Sequence, residues 1–176
     1  MTPTDLLRDE HRLILKALDA LERAADRAGA DRPVADAWWT GAVAWLRTFA
    51  DRSHHAKEEA ALFPAMVKAG VPAHGGPIAV MLEEHVEGRR LVTAMDAGPG
   101  PARLGACRAY VALLRAHIEK ENGIVFPLAE AVLDAQAVLG LGREFDAVEA
   151  EQGAAATLAG AEAALGPLAA ALEAVG

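Results

Sequence analysis

An all-α fold, an up-down-up-down four-helix bundle with additional C-terminal helices, is what this sequence predicts, and three observations predict it. The 176 residues are 53% hydrophobic but only 5% aromatic, and alanine and leucine carry most of the apolar character, which favours helix over sheet. Apolar residues recur at steps of three and four through four long stretches. Gly- and Pro-rich connections between those stretches are short enough to make consecutive helices antiparallel neighbours. At this length one domain is expected, with residues 1–134 forming the bundle and 135–176 contributing cover or interface helices of the same domain.

Thr4 or Asp5 can cap a first helix whose apolar positions Leu7, Ile14, Leu18, Leu21 and Ala25 put His11 on the same buried stripe. Gly29 to Pro33 breaks it. A second helix runs from about Val34 to Leu62, with Trp39, Val43, Leu46, Ala50, His54, Glu58 and Leu62 on one face, and Pro64 sets its end. The segment KAGVPAHGGP, residues 68–77, reads as a loop, and Pro77 suits the first position of a third helix carrying Met81, His85, Gly88, Val92 and Met95. GPGP at 98–101 leads into a fourth, with Cys107, Tyr110, Leu114, His117, Glu121, Ile124 and Leu128 in the same rhythm. Beyond Asp134 lie two weaker amphipathic stretches. Val138 to Val148 is weakened by Gly140 and Gly142, and Leu158 to Val175 is interrupted by Pro167.

A formal net charge of −8 and the lack of a Lys/Arg cluster oppose a nucleic-acid surface. Cys107 has no partner for an internal disulfide, the start MTPTDLLRDEHRL has neither a basic nor an apolar leader region, and no apolar run reaches membrane-spanning length. A cytoplasmic protein is the expectation.

The chain repeats itself. HHAKEEAALFP begins at His54, and HIEKENGIVFP begins sixty-three positions later at His117; upstream, RDEHR around His11 is echoed by LEEHV around His85. Each half thus supplies a single His and then a His-x-x-x-Glu, so two helical hairpins, 4–64 and 77–128, are related by an approximate twofold axis. Residues four apart on a helix differ by about 40° in azimuth, so His54/Glu58 and His117/Glu121 present N and O donors side by side. Two carboxylates on inward stripes carry a desolvation cost that a metal removes. His55/Glu59 has the same spacing as His54/Glu58, but the repeat has Ile118 and Asn122 there, which leaves His55 and Glu59 as solvent-facing or supporting groups. Lys57, between the ligand positions, is expected at the surface. Trp38, Trp39 and Trp45 read as packing, Gly88 as permitting close helix approach, and Cys107 as a small buried residue. Glu10 and Glu84, each just before a His, lie in the first turns of their helices, where acids are favourable anyway, with an orienting bond to a neighbouring ligand as the alternative.

The pattern H…HxxxE…H…HxxxE, with the strings HHAKEE, LFP, EEH, GRR and KENGIVFP, resembles the hemerythrin family of HHE cation-binding domains over roughly residues 5–130. The resemblance implies a metal set of His11, His54, Glu58, His85, His117 and Glu121 around two iron ions, an oxo- or hydroxo-bridged non-haem di-iron centre with the two Glu bridging and the His capping. Ferritin-type sites use Glu-x-x-His instead, and Arg8 and Leu82 stand three before His11 and His85. Oxygen-carrying members have a second His one turn after the third-helix ligand, where this chain has Arg89. Four His and two Glu then leave about two coordination positions open on the iron pair, or about one if Glu84, Glu59, Tyr110 or His74 steps in. The implied partner is a small diatomic gas or peroxide, bound or sensed. A peroxidase- or oxidase-like enzyme, and a structural or storage site for a divalent cation such as zinc with a homodimer through the C-terminal helices, are the alternatives.

Overall fold

The computed structural model describes residues 1–98 and 100–173; Pro99 of the GPGP connection and Val175 of the last amphipathic stretch lie outside them. Among the described residues every regular element is helical.

Four rods make the bundle. The first is α1 (Pro3–Gly29), capped two to three residues earlier than expected: Thr2 Oγ1 accepts from Asp5 N–H, and the Asp5 carboxylate accepts in turn from Thr2 N–H, with Pro3 inside the first turn. The second rod is continuous from α2 (Asp36–Trp45) through a π-helical stretch (Leu46–His55), a second π stretch (Glu58–Leu62) and α3 (Phe63–Lys68). The third is α4 (Pro77–Ala97). The fourth joins α5 (Gly100–Lys120), a π turn (Glu121–Val125) and α6 (Phe126–Val132).

The π turns overturn two expectations. Pro64 does not end the second helix, because the chain re-registers just before it: the Phe63 N–H reaches back five residues to Glu58 O, so the ring of Pro64 meets a widened turn instead of the carbonyl it would strike in a regular α-helix. Phe126 N–H to Glu121 O does the same before Pro127. The extra residue in that turn also rotates the helix beyond it, so Val125 is buried and Ile124, expected inside, is 56% exposed.

The apolar core forms two clusters. One gathers Leu13 to Ala25, Trp38 to Ala50, Leu91 to Met95 and Ala106 to Ile118; the other gathers Leu7, Leu62, Phe63, Met66, Ile78, Met81, Val125 and Phe126. On every rod the His and Glu positions fall between members of the two, so a polar layer is sandwiched in the bundle core.

The C-terminal elements are α7 (Ala135–Gln152), a 3₁₀ turn (Ala154–Ala156) and α8 (Leu158–Glu173). Gly140 and Gly142 do not break α7, and Pro167 lies inside α8 without ending it. Docking holds α8 on the bundle: Trp38 Nε1 donates to Leu168 O at 2.8 Å and Trp45 Nε1 to Ala161 O at 2.9 Å. Ser53 Oγ donates to Ala156 O at 2.7 Å, fixing the 3₁₀ turn over the first π stretch. No helix among the described residues is long and apolar enough to cross a membrane.

Candidate metal centre

His11, His54, Glu58, His85, His117 and Glu121 come together in the polar layer, all buried. They form two groups, each able to offer its donor atoms to one cation: His11, His54, Glu58 and Glu121 in the first, and His55, Glu58, His85 and His117 in the second. The carboxylates lie between the groups. Glu58 turns Oε1 toward His54 Nε2 at 3.6 Å and Oε2 toward His85 Nε2 at 3.4 Å, while Glu121 Oε2 is 3.1 Å from His11 Nε2 and 3.2 Å from His117 Nε2. Each carboxylate thus faces one imidazole of either group.

His55 is the residue that sequence reasoning set aside. It is 4% exposed, and its ring stacks on that of His85 with centroids 3.9 Å apart. The π stretch Leu46–His55 explains the difference. Ala56 N–H reaches back to Asp51 O, a five-residue bond that gives consecutive residues a smaller angular step than in an α-helix and lets His54 and His55 both face the interior. The repeat has α-helix at the equivalent position, and Ile118 there packs into the core. A signal was present in the spacing: Leu46, Ala50, His54, Glu58 and Leu62 advance by four each time, a run that in a regular α-helix drifts by about 160° and cannot keep one face.

The imidazoles are aimed by a second ring of groups. Nδ1 of His54 bonds Glu10 at 2.8 Å, Nδ1 of His117 bonds Glu84 at 2.9 Å, Nδ1 of His85 bonds Glu59 at 2.7 Å, and Nδ1 of His11 bonds Asn122 at 2.9 Å. In each of these four the other nitrogen, Nε2, is turned toward the carboxylates. Glu59 and Glu84, considered as further ligands, are occupied in this supporting role. His74 is exposed on its loop, and Tyr110 lines a cavity of about 250 Å³ with His55, Gly88, Arg89 and Asp51. Arg89 donates to Asp51 and to Glu59, both at 2.7 Å. A methyl group on Gly88 would meet Leu114 and Tyr110 at an ordinary 3.7 Å, so the approach of α4 to α5 does not require glycine.

Lys57 is not at the surface: it is 0% exposed, with its ammonium bonded to Glu10 and, at 2.6 Å, to Glu149 on α7. The surface position expected for it is overturned because α7 covers that face.

The electrostatics are set by burial. Burial, and then the Glu121 charge, drive the Glu58 carboxyl well above the usual range. Burial acts in the same direction on Glu121, but the imidazoles of His11 and His117 close beside it outweigh burial and hold Glu121 well below that range. Burial, then the neighbouring imidazoles, push His54 and His55 well below the ordinary histidine value, which favours the neutral form that can donate a lone pair. The chemical fit to cations shows in the atoms left without partners: Nε2 of His11 and His54, both ring nitrogens of His55, and all four carboxylate oxygens of Glu58 and Glu121 are buried and lack hydrogen bonds. Unsatisfied groups at this density are costly in a dry core unless a cation takes them.

The family model of the Hemerythrin HHE cation binding domain matches residues 2–129. No curated protein and no solved structure matches the chain.

Proposed function

The chain belongs to the hemerythrin HHE cation-binding family, and from that premise we propose that it holds two iron ions and binds or senses a small diatomic gas or peroxide. The observation that carries this reading is the set of buried, partnerless donor atoms gathered around two carboxylates that each face both groups. His11, His54, Glu58 and Glu121 would hold one iron, and His55, His85, His117 and Glu58 the other. Iron so bound supplies a one-electron redox change and an exchangeable coordination position.

The protein's own residues do the rest. Asn122, Glu10, Glu59 and Glu84 fix the ring orientation of four imidazoles and hold the Nδ1 proton, which leaves Nε2 as the donor. The apolar clusters on either side exclude water from the layer. The cavity beside His55 brings small molecules to the second position. With His55 as a fifth imidazole about one coordination position stays open, which favours reversible binding or sensing over turnover at two open positions.

Anaerobic reconstitution with ferrous iron tests the reading. Two irons per chain and a visible charge-transfer band on exposure to air are expected, with both lost in His54→Ala and Glu121→Ala but kept in Lys68→Ala, an exposed position. A preparation that takes up one zinc and ignores iron would establish the structural-cation alternative instead, and steady consumption of peroxide that disappears in Glu58→Gln would establish the enzyme.

A further inference from the structure

Glu149 stands on α7, beyond the residues that match the family, yet it is connected to the centre. Its Oε1 accepts from Lys57 Nζ at 2.6 Å; the same ammonium bonds Glu10 Oε1; and Glu10 Oε2 bonds His54 Nδ1 at 2.8 Å. Lys57 and Glu10 are both fully buried, so this chain of alternating charge runs through a medium where Coulomb interactions are strong. The equivalent chain in the other half, Lys120–Glu84–His117, ends at a lysine that is 35% exposed, and among the described residues Lys120 has no second carboxylate.

We propose that Glu149 is a positioning residue that acts through Lys57 and Glu10 on His54, and that it makes the His11/His54 position the tighter of the two cation positions. A buried ammonium with Glu10 as its only counterion would draw that carboxylate onto itself and weaken the bond to His54. Glu149 divides the pull of Lys57, and Glu10 keeps the charge density that holds the Nδ1 proton and enriches Nε2 as a donor. In this way α7 supports the centre and is not only its cover. The affinity half of the inference rests on the proposed metal function; the orientation of His54 does not.

The test compares the full-length wild type with Glu149→Gln, which keeps an acceptor and removes the charge at a residue whose side chain is 22% exposed. Ser53→Ala is the control, because it removes another anchor of the C-terminal segment that has no bond to His54. In the metal-free chain, the His54 Nδ1 proton seen by NMR is expected to exchange with water about tenfold faster in Glu149→Gln, with the His117 Nδ1 proton and the Ser53→Ala protein unchanged. On titration with zinc, one of the two binding steps is expected to weaken about tenfold and the other to stay within twofold of the wild type. Equal changes at His54 and His117, no change at either, or the same response in Ser53→Ala would overturn the inference. A wild type that binds no zinc or iron while the His54 proton responds as expected would overturn the metal reading and leave the positioning role standing.

Discussion

The two helical hairpins of this protein carry one phrase in two forms, and the departures teach more than the agreement. Glu10, His11, His54, Lys57, Glu58 and Phe63 in the first half occupy the places of Glu84, His85, His117, Lys120, Glu121 and Phe126 in the second, down to the bond from each acidic residue to the opposite helix's imidazole. Phe126 stacks on His11 and Phe63 on His85 in the same exchange. The departures that reach the polar layer are the long π stretch that brings in His55 where the repeat has Ile118, the burial of Lys57 under α7, and the exchange of Glu59 for Asn122. A nearly symmetric centre becomes one with a covered side, toward α7, and an open side, toward the cavity by His55 and Arg89.

The largest effect should come from the elements the halves share. Glu58→Gln and Glu121→Gln each remove a carboxylate that faces both groups, so metal analysis is expected to find neither cation retained in either variant, where His55→Ile should cost only the second. Retention of one ion in Glu121→Gln would show that the carboxylates serve the groups separately.

The lysines sharpen the contrast in stability. Lys57→Met leaves Glu10 and Glu149 facing each other across a buried gap, and urea unfolding of the metal-free chain is expected to show a loss of about 3–5 kcal/mol, the range for breaking a buried pair. Lys120→Met, at a partly exposed pair, should cost no more than about 1 kcal/mol. Equal losses would mean that the cover formed by α7 does not dehydrate the first half.

How much of this was readable in the sequence divides along the same line. The four rods and the gathering of His11, His54, Glu58, His85, His117 and Glu121 in one buried layer follow from α-helical periodicity and from the repeat, because both obey local rules. His55, Ile124 and the passage through Pro64 differ from expectation for a single reason: an assumed α register is off by one after a π turn, and only the four-residue spacing from Leu46 to Leu62 signals such a turn in the sequence. The burial of Lys57 was out of reach for a different reason. It depends on where α7 docks, and nothing in the amphipathicity of residues 135–152 specifies which face of the bundle they cover.

The second group's extra imidazole also predicts a pH dependence in the metal-free chain. His55 has a folded-state value well below the unfolded 6.5, because burial and then His85 disfavour its charged form, so between 6.5 and that lower value the unfolded chain binds the proton and the folded chain does not. The stability present above pH 6.5 is therefore lost as pH falls through this window, by at most about 1.4 kcal/mol per pH unit for this group. His55→Ile, which writes the repeat's residue into the first half, should flatten the profile by that slope. His54 keeps its own depressed value and its share of the slope in both proteins, which makes the difference between the two profiles the quantity to measure.

Gly88 gives the smallest effect. It occupies on α4 the place of Ile14 on α1, three residues after each single His; Ile14 fills the core, whereas Gly88 borders the cavity with His55, Arg89 and Tyr110. Because an added methyl would sit 3.7 Å from Leu114 and Tyr110, Gly88→Ala should be accommodated and gain about 0.5–1 kcal/mol of helix propensity, raising Tm by a few degrees, about 2–4 °C per kcal/mol in a chain of this size. The variant would also narrow the open side. If it is more stable and, after loading with ferrous iron, also slower to take up a small anion such as azide, then glycine here maintains access at a cost in stability, and the openness of that side belongs to function. If stability rises and uptake is unchanged, the cavity is not the path, and the asymmetry of the centre lies wholly in its ligands and in the cover above Lys57.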